Sequence, residues 1–279
     1  MPVRIVTDST CDLPPALVEA HGIIVVPLTV LFGEEALLDS VDITSETFYE
    51  RMVSSSELPR TSQPSVELFR EAYLEASENG EEIVSIHLSS KLSGTLNAAS
   101  VARETVAPEV HVDLIDSYNV SLGLGLIVLE AARAAQSGAS LAEVVAVTRK
   151  AMDRVSVHVC VDTLEYLQKG GRIGRARSFL GSVLSIKPIL RVEDGEVAPF
   201  ERVRTRAKAV ERIFEIASSM ARSKEMFVAC SGDDEEARAM IERLRPYLPH
   251  TDLFLGHLGP VVGVYTGPGA LGIAALERE

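Results

Sequence analysis

The 279-residue chain is long enough for two α/β domains, because a single hydrophobic core stops growing at about 250–300 residues. The net charge of −13 and the absence of tryptophan argue against a nucleic-acid-binding surface, since a polyanion would be repelled and stacking rings are scarce. Three distant cysteines, Cys11, Cys160 and Cys230, predict neither a disulfide framework nor a zinc site. With no export leader or membrane-spanning run in the sequence, we expect a cytoplasmic protein.

In the first half of the chain, apolar runs alternate with segments of helical periodicity. We predict strands at 3–6, 23–32, 83–88 and 111–115, the second of them an edge or bulged strand because of Pro27. We predict helices at 14–22, 44–52, 66–79, 96–106, 120–135 and 140–153, and a polar loop at 54–65. This alternation is typical of an open, mostly parallel sheet flanked by helices.

Three of these strands end in polar residues. Ser9, Ser89 and Ser117 each follow a predicted strand. Ligands of open α/β sheets bind beyond the carboxyl ends of the strands, so these hydroxyls are expected to converge on a ligand. The alternative is that they merely cap the helices that follow.

The turn after the strand at 83–88 is the richest in hydroxyls. Ser89, Ser90, Ser93 and Thr95 are at capping positions of the next helix, and Gly94 would let the backbone approach a bound group closely. Free N–H groups and the positive dipole end of that helix favour a small anion.

Other chemistries find little support in the sequence. There is no Gly-x-Ser-x-Gly motif, and Ser85 and Ser89 lie two residues from His87 on one strand face, where side chains are expected to run parallel, which argues against a hydrolase. The glycines at 170, 171 and 174 match no nucleotide-binding loop, and the six histidines show no metal-ligand spacing. We therefore expect no cofactor and no metal.

A domain boundary is predicted after residue 154, giving domains of residues 1–154 and 155–279. In the second domain we predict strands at 155–161, 226–230, 252–255 and 261–265, and a hairpin that turns at Asp194-Gly195. Helices are predicted at 164–167, 207–220 and 235–248, with a final short helix after Gly269. An apolar helix face, formed by Phe179, Leu180, Val183, Leu184 and Ile186, is either core or the wall of an apolar pocket.

Cations are concentrated in the second half of this acidic chain. Between Tyr166 and Val192 there are six cations and no acidic residue, and a second cluster follows at 202–208. The residues at 169, 172, 175 and 177 predict a docking surface for an acidic partner or a transient contact with anionic lipid. The alternative is that these are ordinary solvated or intramolecularly paired charges.

The ordered set of motifs resembles the DegV family, which includes the fatty-acid-binding subunits of bacterial fatty acid kinase. The matching motifs are Asp8-Ser9-Thr10, Arg60 to Ser65, Leu88 to Thr95, Gly170 to Ile173, Lys187-Pro188-Ile189, Arg202 to Arg206 and Thr266 to Gly269. The resemblance implies a two-domain α/β fold: an N-terminal open, mostly parallel sheet flanked by helices, of the kind shared with dihydroxyacetone kinase subunits, and a C-terminal α/β domain. It also implies a long-chain fatty acid bound between the domains.

The resemblance further implies roles for individual residues. Hydroxyls that match Thr61 and Ser93 hold the carboxylate, with Ser62, Gly94 and Thr95 in the same two motifs. A separate ATP-dependent kinase subunit phosphorylates the bound acid, and Arg202 or Arg204 matches an arginine associated with that transfer. Tyr265 departs from the family, which commonly has histidine there; a phenol donates a hydrogen bond but does not titrate near neutral pH.

Two other functions stay open at this point. A small-molecule kinase or phosphotransferase component would need a nucleotide loop or a phosphorylatable histidine in the crevice. A ligand-responsive regulator that acts through partners is compatible with the same motifs. We favour the lipid carrier, without a complete catalytic apparatus of its own.

Overall fold

The computed structural model describes residues 2–181 and 186–279, where helices pack on the faces of three sheets. The strands in these ranges are β1 (Val3–Asp8), β2 (Ile24–Val26), β3 (Thr29–Phe32), β4 (Glu35–Leu38), β5 (Arg60–Ser62), β6 (Glu82–His87), β7 (Val112–Asp116), β8 (Val155–Cys160), β9 (Lys187–Glu193), β10 (Glu196–Val203), β11 (Ser223–Cys230), β12 (Asp252–His257) and β13 (Leu271–Glu277). The α-helices there are α1 (Pro15–Ala20), α2 (Ser45–Ser54), α3 (Val66–Ala76), α4 (Thr95–Val106), α5 (Leu122–Gln136), α6 (Leu141–Arg154), α7 (Glu165–Lys169), α8 (Arg206–Ser219), α9 (Glu235–Leu244) and α10 (Pro260–Thr266). Short 3-10 segments span Ser9–Cys11 and Gly174–Phe179.

The N-terminal sheet is parallel, as the alternation of strands and helices predicts. Its order is β2-β1-β6-β7, and every pairing within it is parallel. Ile83, Val84 and Ile86 of β6 are fully buried, because helices cover both faces of such a sheet. Because these strands are parallel, the carboxyl ends of β1, β6 and β7 lie along one edge of the sheet.

The C-terminal sheet is mixed. Its order is β10-β9-β8-β13-β11-β12, and only β11 and β12 pair in parallel. A small antiparallel sheet, β4-β3-β5, carries residues 60–62. The predicted α/β class, with a parallel N-terminal sheet, is confirmed.

Helix α5 connects the two large sheets. It contacts β1 on one side and β8 and β13 on the other, and its residues from Leu122 to Leu129 are buried. The prediction of a helix buried nearly all round is therefore confirmed, and one hydrophobic cluster runs from Val3 to Leu276 through both sheets. The predicted domain boundary falls between α6 and β8, and the division at residue 154 remains a prediction.

Two predicted elements near the C-terminus are wrong. Residues 260–266 form helix α10 and not a strand, because Pro260 occupies the first helical position after Gly259, and this start signal outweighs the β-branched run. Residues 271–277 form strand β13 and not a helix. This strand lies between β8 and β11 and is buried on both faces, so its sequence lacks the alternation that would have revealed it.

Smaller corrections concern the other predicted segments. The apolar run at 23–32 is divided at Pro27 between β2 and β3, which belong to different sheets, and the predicted loop at 54–65 contains β5. Of the predicted apolar face, Val183 and Leu184 lie outside the described residues, and Phe179 ends a 3-10 segment. Within the described ranges, the helices are too short or too polar to cross a lipid bilayer.

Candidate functional site

A cavity lies between the N-terminal and C-terminal sheets. Its volume, counted as the space that the centres of water molecules can reach, is about 120 Å³. The aliphatic side chains of its wall are Leu28, Leu88, Leu92, Val120, Leu122, Val157, Val159, Val161, Leu167, Leu190, Val192, Val197, Ala229, Leu258, Val261, Val262 and Ala274. A wall of this composition suits a hydrocarbon.

The alternation along β8 explains which side chains reach the cavity. Val157, Val159 and Val161 belong to the same hydrophobic cluster as α5, whereas Cys160 belongs to the cluster under α8 and α9. His158, which also borders the cavity, packs its ring on Phe200 with ring centres 4.8 Å apart. Burial, together with the nearby Arg191 charge, lowers the pKa of His158 to about 4, so this ring is neutral at physiological pH.

A group of polar residues meets at one part of the wall. Thr61 Oγ1 and Tyr265 Oη are 2.5 Å apart and share a hydrogen bond. The Arg172 guanidinium lies over the Tyr265 ring, 5.2 Å from its centre, and Arg172 Nε donates to the Leu92 carbonyl oxygen at 3.2 Å. Thr61, Ser93, Arg172 and Tyr265 all line the cavity. Two strongly separated pieces of sequence, around 61 and around 265, thus meet at one hydroxyl pair.

Three different elements position this polar group. Thr61 is in β5, opposite Val30 of β3, and Tyr265 is in the last turn of α10. Gly170 makes room for the tyrosine, since a Cβ there would lie 2.5 Å from Tyr265 Cδ1. This contact gives the glycine of the Lys169-Gly170-Gly171 motif a packing role.

Ser93 stands beside the N-terminus of α4. Its Oγ is 2.9 Å from Thr95 Oγ1 and accepts a hydrogen bond from the Thr95 N–H at 3.3 Å. Gly94 faces the Gln63 side chain, because a Cβ at Gly94 would lie 2.1 Å from Gln63 Oε1. The close approach expected at Gly94 is thus made by a residue of the chain itself, while Thr95 is fully buried. The exposed Ser62, next to Thr61, donates to the Gln63 carbonyl oxygen at 3.3 Å.

The serines at the strand ends do not converge on the cavity. Ser9 Oγ donates to Asp39 Oδ2 at 2.8 Å, Ser89 Oγ to the Gly195 carbonyl oxygen at 2.7 Å, and Ser117 Oγ to the Asn119 carbonyl oxygen at 3.4 Å. The expectation of convergence is therefore wrong, because each hydroxyl is occupied by a structural hydrogen bond.

Thr10 and Ser121 line the cavity instead. The Thr10 hydroxyl donates to Asp8 Oδ1, and the Ser121 hydroxyl donates to Asp12 Oδ2, both at 2.5 Å. Sequence reasoning missed both residues. Ser121 has a positive φ of 56°, a backbone conformation that nothing in the local sequence signals.

The side chains around His87 also differ from the prediction. Ser85 Oγ is 2.6 Å from His87 Nε2, and His87 Nδ1 is 2.9 Å from Asp8 Oδ2, so the side chains of Ser85 and His87 meet and do not run parallel. Tyr73 Oη extends the chain of contacts to Ser85 at 3.0 Å. The predicted parallel arrangement is therefore wrong, although all four residues are buried and none lines the cavity.

Buried carboxylates surround the 3-10 turn at Ser9–Cys11. Burial raises the pKa of Asp39 to about 7, against hydrogen bonds from Ser9 and Ser40 that lower it. Burial likewise raises the pKa of Asp12 well above its ordinary value. Among the described residues, no three His, Cys, Asp or Glu side chains are arranged to hold a metal ion.

The raised pKa of Asp39 predicts a pH-dependent stability. Folded Asp39 keeps a proton that the unfolded chain releases above about pH 4, so its contribution is complete at low pH and is lost as the pH rises through about 7. Between about pH 5 and about pH 7, we expect the unfolding free energy of the wild type to fall by up to about 1.4 kcal/mol per pH unit relative to Asp39→Asn. Urea unfolding of both proteins across this range measures the difference. A constant difference would show that Asp39 titrates normally in the fold.

Many of the clustered cations are paired within the chain. Arg175 lies 2.8 Å from Glu193 and 3.4 Å from Asp194, Lys187 lies 2.8 Å from Asp162, and Lys169 lies 2.5 Å from Glu165. Although residues 167–191 include no acidic residue, acidic residues from outside this interval lie beside its cations in the folded chain.

The remaining predicted cations are arranged differently. Arg177, Arg202 and Arg204 are exposed, and the Arg202 guanidinium stacks 4.3 Å from the centre of the Phe179 ring. Arg172 was predicted to dock a partner and lines the cavity instead of standing free of it. The docking role of 169, 172, 175 and 177 remains a prediction.

Comparison with known proteins agrees with this architecture. The family model described as "Uncharacterised protein, DegV family" matches residues 2–278. The chain belongs to the DegV family. A DegV domain-containing protein of Streptomyces coelicolor is 40% identical over 99% of both chains.

Solved DegV structures share the whole fold. A fatty-acid-binding DegV family protein from Thermus thermophilus is 36% identical and superimposes with a TM-score of 0.91, with 100% of both chains covered. DegV of Bacillus subtilis, described as a fatty acid binding protein, is 34% identical with a TM-score of 0.92 over 100% of both chains. The predicted DegV fold is therefore confirmed.

Proposed function

We propose that this DegV protein is a cytoplasmic fatty-acid carrier. It buries a long acyl chain in the cavity and presents the carboxylate, at Thr61 and Ser93, to a separate ATP-dependent kinase subunit that forms the acyl phosphate. The observation that carries the proposal is a mainly aliphatic cavity whose wall includes the hydrogen-bonded Thr61–Tyr265 pair and Ser93. Two relatives that share the complete fold are described as fatty acid binding.

The energetics of binding such a ligand are consistent with the proposed role. Burial of about fifteen methylenes at about 0.8 kcal/mol each provides on the order of 12 kcal/mol, against an association cost of roughly 4 to 15 kcal/mol. Hydrogen bonds to a charged carboxylate add about 1.5 to 3 kcal/mol each. The tail therefore supplies most of the affinity, and the hydroxyls fix the position of the head group.

Neutral hydroxyls suit a carboxylate that must react. A bidentate arginine would hold the negative charge of the carboxylate more tightly and weaken it as a nucleophile. The Thr61–Tyr265 hydrogen bond supports this role. If the phenol donates to Thr61 Oγ1, the threonine hydrogen is free for the ligand, so we assign Tyr265 to the same carboxylate site, with Ser62, Gly94 and Thr95 supporting its two loops.

The same proposal includes the domains and the partner. We place the ligand between an N-terminal domain of residues 1–154 and a C-terminal domain of residues 155–279. Exposed cations, including Arg202 and Arg204, would receive the acidic surface of the kinase subunit and stabilise charge during transfer. They would also favour transient contact with anionic lipid during ligand exchange.

Charge reversal tests the docking surface. Arg177→Glu combined with Arg204→Glu changes two exposed cations outside the cavity wall. We expect acyl-phosphate formation with the kinase subunit to fall at least about 10-fold, because like charges replace attractive ones, while the Kd for fatty acid stays unchanged. Arg238→Glu, an exposed cation on α9, is the control. Normal phosphorylation of the double variant would reject this surface.

Native mass spectrometry tests the carrier function itself. The protein purified without detergent is expected to retain a fatty acid, seen as an added mass that disappears on denaturation. A protein that is empty and does not take up added fatty acid would overturn the proposal.

A further inference from the structure

The β9–β10 hairpin, residues Lys187–Val203, borders the cavity but is only partly paired with the rest of its sheet. Leu190 and Val192 of β9 and Val197 of β10 form part of the cavity wall. β9 pairs with β8 only over Ile189–Arg191, whereas it pairs with β10 along the whole hairpin. The outer half of the hairpin is thus a two-stranded ribbon without a neighbouring strand, and such a ribbon is only marginally stable by itself.

The tip of this ribbon is fixed to the N-terminal sheet. The fully buried Ser89, just after β6, donates its hydroxyl hydrogen to the Gly195 carbonyl oxygen at 2.7 Å. A Cβ at Gly195 would lie 2.5 Å from Ser89 Oγ and 2.7 Å from Tyr118 Cδ1, so serine and aromatic ring both touch the glycine. The turn residues Asp194 and Gly195 have φ values of 52° and 77°, which give the tip the sharp turn of a two-residue hairpin.

The contact sits at the seam where the two walls of the cavity meet. Leu88, directly before Ser89, lines the cavity, and so does Val120, which follows the Asn119 whose carbonyl oxygen accepts the Ser89 N–H. On its other side, the ribbon packs on the 3-10 segment Gly174–Phe179: Arg175 forms ion pairs with Glu193 and Asp194 and donates to the Glu193 carbonyl oxygen at 2.7 Å, and a Cβ at Gly174 would lie 2.6 Å from the Val197 carbonyl oxygen. The tip contact with Ser89 and Tyr118 is what joins the ribbon to the N-terminal sheet. Release of the tip would therefore separate the ribbon wall from the Leu88 wall.

We propose that the β9–β10 hairpin is a strap that closes the acyl cavity and that the contact of Gly195 with Ser89 and Tyr118 is its latch. The proposal rests on the fatty-acid-carrier function. It adds that ligand exchange is limited by opening of this latch, so that weakening the latch speeds both entry and release while the head-group site stays intact.

Ligand exchange kinetics test the strap. The wild type is loaded with cis-parinaric acid, a fluorescent fatty acid, and release to excess phosphatidylcholine vesicles is followed by stopped flow. Ser89→Ala removes the hydrogen bond to Gly195, along with a longer one that the serine accepts from the Lys91 N–H at 3.3 Å, so we expect release to be about 2- to 10-fold faster. Gly195→Ala forces the tip away from both neighbours and is expected to exceed that effect.

Matched variants separate the latch from general strain. Ser90→Ala changes the exposed neighbouring serine, and Gly138→Ala places a Cβ at a similar φ of 82° with no atom within 4 Å. Both are expected to release ligand at the wild-type rate. Tyr118→Asn removes the ring and keeps a residue that tolerates the φ of 49°, so the test remains available if Gly195→Ala does not fold.

Faster release from Ser89→Ala and Tyr118→Asn, with the controls unchanged, supports the strap. Wild-type release rates in these variants, with lower resistance to urea alone, would mean a static contact and overturn it. A wild type that takes up no fatty acid would instead overturn the carrier function, and the strap with it.

Discussion

Ala274→Phe is expected to abolish fatty-acid binding, with a Kd at least about 100-fold weaker than that of the wild type. Ala274 is buried on β13 and forms part of the cavity wall, so a phenyl ring there occupies space that the acyl chain needs. Each methylene displaced from the cavity costs about 0.8 kcal/mol, and four displaced methylenes already exceed a 100-fold loss. Isothermal titration with a long-chain fatty acid measures the change.

A matched variant shows that the effect is local. Ala239→Phe makes the same substitution on the exposed face of α9 and is expected to leave the Kd unchanged. Because the ring at residue 274 fills existing space, the variant should stay folded, with a urea midpoint close to that of the wild type. Undiminished binding by a folded Ala274→Phe protein would mean that the acyl chain lies elsewhere.

The double variant Thr61→Ala, Ser93→Ala is expected to bind fatty acid but not to present it. Both hydroxyls line the cavity, and their removal leaves the aliphatic wall unchanged. We expect the Kd to weaken about 10-fold for each charged hydrogen bond lost. Acyl-phosphate formation with the kinase subunit should fall below detection even at saturating ligand, because the carboxylate is no longer held in one place.

The control for this variant is Ser90→Ala, which removes an exposed hydroxyl three residues before Ser93. It is expected to behave as the wild type in both assays. Phosphorylation of ligand bound to the double variant at the wild-type rate would reject the assignment of the carboxylate to these two residues.

The sequence predicts the fold well where local and global signals agree. Alternation of β1, β6 and β7 with capped helices predicts the parallel sheet, and the uniformly apolar α5 predicts a buried helix. The prediction fails at α10 and β13. Both elements are buried on all sides, so their sequences lack a hydrophobic periodicity, and local propensity alone does not distinguish helix from strand there. The identity of β13 depends on pairing with β8 and β11, which are distant in sequence.

The candidate site shows the same division. Thr61 and Ser93 are reached through the family resemblance, and the structure places both on one cavity. Thr10 occurs in the matching motif Asp8-Ser9-Thr10 without a predicted role, and no local pattern indicates Ser121, because the positions of both depend on hydrogen bonds to buried carboxylates. The serines at the strand ends do follow strands, as predicted, but they do not bind a ligand of the cavity, because their hydroxyls donate to groups of the chain itself.

The pairing of the clustered cations could not be predicted from the sequence. Residues 167–191 contain cations and no acidic residue. In the folded chain, however, Arg175 forms ion pairs with Glu193 and Asp194, and Lys187 forms one with Asp162. Only tertiary structure separates the exposed Arg177 and Arg204 from these paired residues.

A crystal structure of the protein with a bound long-chain fatty acid tests the central claim most directly. We predict acyl density along the cavity between the two large sheets, with a carboxylate oxygen within about 3.2 Å of both Thr61 Oγ1 and Ser93 Oγ. A carboxylate bound away from these hydroxyls, or a fatty acid bound outside the cavity, would contradict the account.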